Sequence, residues 1–289
     1  MHPRCPIVVI DSGLGGLTVA AAIRRALPAE DLLYFGDTAR VPYGSKSPQT
    51  VLSFVRQIVS LVRGWSPKHI VLACNTATAV ALEPIAEEFE SVSLSGVVEP
   101  GAQAAASAAG ENPRPNIGVI ATEATIRSKA YERAILRRLP HARLVCRATP
   151  LLVPLIEEGR GEDDPVVKLA LRQYLEPMLA DGLDVLVLGC THYPIYRRLI
   201  EAAAGEGVAV IDSAQQCAED VARLLRVAGL CRSRRQRGGF WSLVTDSAPR
   251  FAQIAARFLG GPIEPPVHVP LEDLYAAETR RPLRLRSAG

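Results

Sequence analysis

Near the start of the chain, residues 7–18 read IVVIDSGLGGLT. A β-branched apolar run comes first, a glycine-rich turn follows, and the next residues open a helix, a succession typical of a buried strand that leads into a helix. Similar apolar runs recur at residues 32–35, 69–74, 92–98, 117–122, 142–149, 185–190 and 208–212, with helical stretches between them. Because continuous apolar strands that alternate with helices belong to parallel sheets covered on both faces, the predicted fold class is α/β.

The order of these elements repeats along the chain. In the first half, one predicted strand ends at Asp11 and a later one at Cys74, and in the second half the corresponding strands end at Thr122 and Cys190. A breaker segment, GENPRPN at residues 110–116, separates the two series. We therefore predict two similar lobes, each with a mainly parallel sheet covered by helices, and a ligand site in the cleft between the carboxyl ends of their strands.

Composition limits the class of protein. The chain has 289 residues, 48% of them hydrophobic, and its formal net charge of +3 is too small to indicate a nucleic-acid partner. It contains no apolar run of about 20 residues that could span a membrane, and its first residues, MHPRCPIVVIDSG, lack the apolar region of a signal peptide. We expect a globular, cytoplasmic protein with no membrane partner. A basic cluster at residues 232–237 is interpreted as a solvated loop, with a binding patch as the alternative.

Two of the six cysteines share a setting. Cys74 and Cys190 each end a predicted strand and precede an Asn-Thr or Thr residue suited to capping the next helix. A thiol at the positive end of a helix dipole is expected to have a lowered pKa, which favours the reactive thiolate. The alternative is that both are small buried apolar residues. The remaining cysteines, interpreted as structural or incidental free thiols, are Cys5, Cys146, Cys217 and Cys231.

Other chemistries fit these residues less well. Cys190-x-His192 could supply two metal ligands, but the sequence lacks the paired spacing of structural zinc sites, so no metal is predicted. A Cys-His hydrolase would leave the second cysteine unexplained. A dinucleotide fingerprint that starts at Gly13 would need glycine where Thr18 stands, although Asp37 lies about where a ribose-binding acid would.

The Asp11-Ser12 pair suits a different ligand. A carboxylate can hold an ammonium group, while a hydroxyl and the free amides of a helix N-terminus can hold a carboxylate. An amino-acid zwitterion needs both contacts. Inverting its stereocentre by proton transfer needs one acid/base group on each face, and two cysteines at matching positions of two lobes would provide that geometry.

Five motifs stand in order along the chain. They are Asp11-Ser12-Gly13-x-Gly15-Gly16, Gly36-Asp37-x-x-x-x-Pro42-Tyr43-Gly44, Ala73-Cys74-Asn75-Thr76, Gly118-Val119-Ile120-x-Thr122-x-x-Thr125-Ile126-x-Ser128, and Leu188-Gly189-Cys190-Thr191-His192-Tyr193-Pro194. In order and spacing they resemble the bacterial glutamate racemases. The likeness covers about residues 6–230 and continues more loosely through FWSLVTDSAPRFAQIAARFLG at 240–260.

The resemblance implies a racemase that supplies D-glutamate for peptidoglycan without pyridoxal phosphate, nucleotide, metal or any other cofactor. Cys74 and Cys190 would be the two acid/base residues, assisted by Asp11 and His192. The family's auxiliary glutamate falls in a Pro-Leu-x-Glu segment, where Glu157 fits best and Glu158 is the alternative. The residues implied around the substrate are Asp11, Ser12, Pro42, Tyr43, Gly44, Asn75, Thr76, Thr122, Thr191 and His192.

The resemblance also implies how the chain is divided. The first lobe would comprise residues 1–98 plus 211–271, because the last strand and helix would return to it, and the second lobe residues 99–210. Residues 272–289 are expected to be a flexible tail. The expected partner is glutamate, and the expected assembly is a homo-oligomer, a dimer. An aspartate or other amino-acid racemase is the nearest rival, and a two-lobed binding protein of the periplasmic type would need a secretion signal and no paired thiols.

Overall fold

The computed structural model describes residues 2–180, 182–233, 236–246, 251–252, 255–256, 259 and 261–279. Part of the basic cluster, residues 234–235, and the end of the predicted tail, residues 280–289, lie outside the described residues. None of the described helices has both the length and the apolar character needed to cross a bilayer.

The described strands form two separate sheets. The first holds β1 (Ile7–Asp11), β2 (Leu32–Gly36), β3 (His69–Leu72), β4 (Leu94–Gly96), β9 (Phe240–Val244) and β10 (Val267–His268), in the order β10-β9-β2-β1-β3-β4. The second holds β5 (Asn116–Ala121), β6 (Arg143–Ala148), β7 (Val185–Gly189) and β8 (Ala209–Ile211), in the order β6-β5-β7-β8. All pairings between these strands are parallel, and the four strands of the second sheet repeat the β2-β1-β3-β4 order of the first. The predicted α/β class with two mainly parallel sheets is confirmed.

Helices cover both faces of each sheet. In chain order they are α1 (Leu17–Ala26), α2 (Pro48–Val62), α3 (Asn75–Glu88), α4 (Val98–Ala109), α5 (Glu123–Arg127), α6 (Ala130–Leu136), α7 (Leu152–Glu157), α8 (Pro165–Leu179), α9 (Arg197–Ala204), α10 (Ala214–Val227) and α11 (Leu271–Thr279). On the first sheet, α1 and α10 pack on one face and α2, α3 and α11 on the other. On the second sheet, α7, α8 and α9 pack on one face and α4 and α6 on the other. We call each sheet with its helices the first lobe and the second lobe.

Two predicted segments differ from the structure. The apolar run at 92–98 was expected to be one strand, but β4 ends at Gly96 and α4 begins at Val98. Pro100 falls in the first turn of α4, where its missing N–H costs no helical hydrogen bond, so the helix can begin before the alanine-rich segment. The flexible tail predicted from residue 272 is wrong for residues 272–279, since α11 buries Leu274 and Ala277 against α2. The residue boundaries of the lobes stay a prediction.

A buried histidine lies in the strand that leads to Cys74. His69 is fully buried at the start of β3, and its Nδ1 and Nε2 atoms lie 2.8 Å from the hydroxyls of Ser93 and Ser95 respectively. Burial lowers the pKa of His69 to about 4, so the ring is neutral at physiological pH. Its two hydroxyl partners fix β3 against the segment that contains β4.

We expect His69 to make folding sensitive to acid. The unfolded chain takes up a proton near pH 6.5 but the folded chain only near pH 4, so the contribution of His69 is fully present above the first value and lost as pH falls towards the second. That pKa difference corresponds to about 3 kcal/mol. Urea unfolding of wild type and His69→Gln at neutral and acidic pH should show a smaller acid-induced loss in the variant. Equal losses would contradict the assignment.

Candidate active site

The carboxyl ends of four strands face one another across the cleft between the lobes. Asp11 ends β1 and Cys74 follows β3 in the first lobe, while Thr122 follows β5 and Cys190 follows β7 in the second. Because the two sheets share one strand order, Cys74 and Cys190 occupy equivalent positions in the two lobes. Parallel sheets place ligand sites at this edge, and here two such edges enclose one space.

That space is a small cavity of about 20 Å³. Its lining residues are Ser12, Val41, Pro42, Tyr43, Gly44, Cys74, Asn75, Thr76, Thr122, Val153, Cys190, Thr191 and His192. The structure thus brings together nine of the ten residues predicted around the substrate, with Asp11 absent from the wall itself. The predicted auxiliary residue Glu157 is not part of the wall either. Val41 and Val153 belong to the wall but were not predicted, because an isolated valine in a loop or helix carries no chemical signal in a sequence. The described lining contains no lysine or arginine.

Cys74 is itself the N-cap of α3, which begins at Asn75, whereas the sequence predicts the cap in the Asn75-Thr76 pair that follows it. The thiol is only 6% exposed. Burial, followed by the nearby negative charge of Asp11, raises the pKa of Cys74 to about 12, although hydrogen bonds with Ser12 and with the Ala77 N–H act in the opposite direction. The expectation that the helix dipole would lower the pKa of Cys74 is therefore wrong for this closed arrangement, because desolvation of the thiolate outweighs the dipole.

Cys190 has a different local structure and a different neighbour. After β7 the chain forms a 3₁₀ turn at Tyr193–Tyr196 that leads directly into α9, so the predicted helix begins later than the capping pattern at Thr191 indicates. Tyr193 and Tyr196 are both fully buried, and a spacing of three residues matches the period of a 3₁₀ helix. The Cys190 Sγ atom lies 3.8 Å from His192 Nδ1, a distance at which the large sulfur atom can still form a hydrogen bond.

His192 is held between the thiol of Cys190 and a carboxylate. Its Nε2 atom lies 2.7 Å from Oε1 of Glu157, which projects from α7. Burial alone would lower the pKa of His192, but the hydrogen bonds with Cys190 and Glu157 raise that pKa well above its usual value. The neighbouring Glu158 is 63% exposed on its side chain and pairs with Arg160 outside the cavity. Of the two candidate glutamates, the geometry therefore places Glu157 at the site.

Asp11 stands behind the opposite wall of the cavity, on the Cys74 side. Its Oδ2 atom accepts a hydrogen bond of 2.9 Å from the Gly13 N–H, and its Oδ1 atom accepts one of 3.4 Å from the hydroxyl of Thr191 in the second lobe. Tyr34 donates to the carbonyl of Gly13 at 2.9 Å. These bonds hold the carboxylate in a buried position where its negative charge acts on the Cys74 thiol.

Two glycines of the first lobe touch the second lobe directly. A Cβ atom added to Gly15 would lie 2.6 Å from His192 Nδ1 and 2.9 Å from the His192 backbone nitrogen, and would also clash with Thr191. A Cβ atom added to Gly44 would lie 2.5 Å from Cβ of Thr122. Real Cβ atoms do not approach other atoms this closely, so both glycines let the lobes close around the cavity.

Hydroxyl groups also join the lobes beside the cavity. Thr76 Oγ1, in α3, lies 2.9 Å from Thr122 Oγ1 and 3.2 Å from Thr125 Oγ1, both at α5. The Thr122 hydroxyl also accepts from the Thr125 N–H at 3.4 Å, as the N-cap of α5. The cluster supplies adaptable donors and acceptors at the cavity wall.

Asp37, which left a nucleotide interpretation open, lies in a buried structural network instead. It accepts hydrogen bonds from the Tyr43 hydroxyl, from Arg40 Nε at 2.7 Å and from Thr245 Oγ1 at 3.0 Å. Burial raises the pKa of Asp37 while these partners lower it. The network fixes Tyr43 in the cavity wall and leaves the carboxylate no access to a ribose.

The other cysteines lie elsewhere. Cys217 is buried in α10, and the partly exposed ones are Cys5, Cys146 and Cys231. Among the described residues, His, Cys, Asp and Glu side chains form no cluster of three or more that could hold a metal ion.

Comparison with known proteins shows the family to which the chain belongs. The family model for Asp/Glu/Hydantoin racemases matches residues 7–221. The chain is 46% identical over 270 residues to a glutamate racemase of Geobacter metallireducens, an alignment that covers 93% of this chain and 98% of the relative.

Solved structures give the same result. A glutamate racemase of Francisella tularensis in complex with D-glutamate superimposes with a TM-score of 0.85 at 32% identity, covering 93% of this chain and 99% of that one. A glutamate racemase of Thermus thermophilus in complex with β-chloro-D-alanine gives a TM-score of 0.82 at 44% identity, covering 94% and 100%.

Proposed function

Since the chain belongs to the Asp/Glu/Hydantoin racemase family and, within it, to the glutamate racemases, we propose that it interconverts L- and D-glutamate by moving the α-proton between two cysteines. The observation that carries this proposal is the position of Cys74 and Cys190, at equivalent strand ends of two lobes and in the wall of one cavity. The D-glutamate bound to the Francisella tularensis relative supports the choice of substrate.

Racemisation needs a base on one face of the α-carbon and an acid on the other. In one direction the Cys74 thiolate removes the proton from D-glutamate and the Cys190 thiol delivers one to the opposite face; the reverse reaction exchanges the roles. The raised pKa of Cys74 keeps the thiol protonated at neutral pH, so that a proton is available when D-glutamate is formed, and it makes the thiolate a stronger base once formed. Each turnover leaves the two sulfurs with exchanged protonation states.

Each thiol has its own helper group. Asp11 lies beside Cys74, and His192 lies beside Cys190 with Glu157 behind it. An imidazolium at His192 stabilises the Cys190 thiolate, and Glu157 stabilises that imidazolium, which explains the raised pKa of His192. The two halves of the site therefore activate their thiols by different means.

Substrate binding has to rely on hydroxyl, amide and backbone groups. Ser12, Asn75, Thr76, Thr122 and Thr191 line the cavity, which has no lysine or arginine among its described residues. Groups of this kind, together with the backbone N–H groups at the start of a helix, can bind a carboxylate and an ammonium group in a water-free site. Once the lobes are closed these groups are held in place and so can stabilise the negative charge that develops at the α-carbon.

The lobes have to separate for glutamate to enter. A cavity of about 20 Å³ has room for about one water molecule, far less than an amino acid requires. The contacts of Gly15 and Gly44 with the second lobe are contacts of the closed state. We infer that opening admits the substrate and that closure then excludes water from the thiols.

A racemisation assay tests the substrate and the absence of a cofactor together. Purified protein in buffer with a chelator and without pyridoxal phosphate should convert L-glutamate to the racemate, followed by circular dichroism, and should leave L-aspartate largely unchanged. Activity that depends on an added metal or on pyridoxal phosphate would contradict the cofactor-free mechanism. A preference for aspartate would assign the chain to the rival racemase activity.

The cellular role follows from the product. We propose that the enzyme supplies D-glutamate for peptidoglycan synthesis in the cytoplasm and acts as a homo-oligomer, a dimer. The names of the relatives support the product. Growth of a D-glutamate auxotroph on a plasmid that carries this chain would test the role, and light scattering of the purified protein would test the assembly.

The neighbouring residues Glu157 and Glu158 allow a controlled test of how protonated His192 is stabilised. Glu157→Gln removes the charge that stabilises protonated His192, so we expect kcat to fall by about 100-fold and the alkaline limb of the pH profile to move to lower pH, because the pKa of His192 falls. Glu158→Gln changes the neighbouring residue, which pairs outside the cavity, and should behave as wild type. A larger effect of Glu158→Gln would reverse the assignment.

A further inference from the structure

Tyr131 is a buried tyrosine that is not among the predicted site residues. Its side chain lies between α4 and β7 of the second lobe and contacts the first lobe. Tyr131, in α6, is 2% exposed. A Cβ atom added to Gly101 in α4 would lie 2.7 Å from the Tyr131 phenol oxygen, and one added to Gly189 in β7 would lie 3.1 Å from Tyr131 Cε2. The ring therefore occupies a slot that exists because both neighbours lack a side chain.

The phenol oxygen contacts Asn75, which is part of the cavity wall. It donates a hydrogen bond of 2.7 Å to Oδ1 of Asn75, the first residue of α3 in the other lobe. Burial, and then the negative charge of Asp212, raises the pKa of Tyr131 far beyond neutrality, so the phenol keeps its proton and remains a donor. Asn75 is itself only 2% exposed and lines the cavity next to Cys74.

The nitrogen atom of the Asn75 amide indicates what this hydrogen bond does. Its Nδ2 atom is buried and has no hydrogen-bond partner among the described residues, which is a costly state for an N–H donor. An asparagine amide can turn over and exchange its oxygen and nitrogen positions. In the orientation seen here the phenol donates to Oδ1, which leaves both N–H groups of Nδ2 free for a ligand, whereas the opposite orientation would use one N–H group on the phenol oxygen and turn Oδ1 away from it.

We propose that Tyr131 is a positioning residue, which holds the Asn75 amide with its N–H groups directed at a carboxylate of the bound glutamate and does so only when the lobes are closed. The bond joins α6 of the second lobe to α3 of the first, so it is made on closure and lost on opening. A free Asn75 amide in the open protein can adopt either orientation, while the closed protein presents donors. The inference rests on the proposed glutamate racemase function.

Tyr131→Phe removes the phenol oxygen and leaves the ring in its slot. We expect KM for both enantiomers of glutamate to rise about tenfold with a smaller change in kcat, since an interaction shared by bound substrate and transition state acts mainly on KM. Tyr196→Phe is the matched control, because it removes another buried phenol oxygen, bonded to the Arg160 carbonyl at 2.9 Å within the second lobe. The control should keep the wild-type KM.

Combining Tyr131→Phe with Asn75→Ala distinguishes an effect of Tyr131 that acts through Asn75 from a general disturbance of the structure. If Tyr131 acts by orienting Asn75, adding Tyr131→Phe to Asn75→Ala should cause no further rise in KM. Additive effects of the two substitutions would overturn the proposal, as would an unchanged KM in folded Tyr131→Phe. If Tyr131→Phe fails to fold, Gly101→Ala serves instead, because its Cβ would displace the phenol oxygen from Asn75, and an unchanged KM there would equally overturn it.

The wild-type assay keeps this test distinct from that of the activity itself. A wild-type protein that does not racemise glutamate at all would refute the proposed function. A wild-type protein that racemises glutamate, together with a Tyr131→Phe variant of the same KM, would refute the positioning role alone.

Discussion

Cys74→Ala and Cys190→Ala are each expected to abolish net racemisation of glutamate while the protein remains folded. Each substitution leaves one face of the α-carbon without its acid or base, and a positioned acid/base group is worth about 10² to 10⁴ in rate. The loss should be near the upper end, because the described cavity wall offers no other thiol to take over the missing role. Initial rates from L- and D-glutamate, with thermal unfolding of each variant, check the expectation.

Cys217→Ala provides the matched control, since Cys217 is as buried as the two cavity cysteines but lies in α10. It should keep wild-type turnover. In deuterated water, wild type should place deuterium at the α-carbon of the newly formed enantiomer during the first turnovers, because one thiol retains the removed proton and the other delivers solvent deuterium. Substantial racemisation by Cys74→Ala or Cys190→Ala would refute the two-cysteine mechanism and would indicate that these thiols are structural.

Gly15→Ala should reduce kcat/KM by about 100-fold with little loss of stability. Its methyl group would collide with the backbone and ring of His192 and with Thr191, so the lobes could not close fully and the Cys190 side would be displaced. Displacements of about 1 Å in reacting groups have effects of this size. Steady-state kinetics and urea unfolding, measured on the same preparation, separate the two effects.

Gly161→Ala is the control for this experiment. Gly161 has a negative or extended backbone conformation, and a Cβ atom there would meet none of the described atoms within 4 Å. It should therefore keep wild-type kinetics. A fully active Gly15→Ala variant would show that catalysis does not require the close approach of the lobes seen at Gly15. Gly44→Ala, which contacts Thr122 at the other end of the cavity, should then also be active.

Sequence patterns were sufficient for the architecture and for most of the side chains that the structure places around the cavity. Apolar runs locate β1 and β7 because strands buried on both faces must be continuously apolar. Asp11, Cys74 and Cys190 could be located because each ends such a strand or follows it within two residues, where parallel sheets place their ligands.

Features that depend on packing between distant segments could not be predicted from the sequence. The pKa of Cys74 is set by how completely the closed lobes desolvate it, which a helix-capping pattern does not reveal. The 3₁₀ turn after Cys190 depends on the burial of Tyr193 and Tyr196. The contact of Tyr131 with Asn75 joins residues far apart in the chain and becomes visible only when both lobes are placed.

The first sheet is completed by a strand from near the end of the chain. β9 pairs with β2 over the full length from Leu32 to Gly36, whereas all four strands of the second sheet precede it in the sequence. During synthesis the second lobe can therefore finish folding on the ribosome while β2 still presents an unpaired edge. Such an edge can pair with other chains and promote aggregation. We expect that chains interrupted before β9 aggregate, and that the yield of native protein depends on how quickly β9 emerges and pairs with β2.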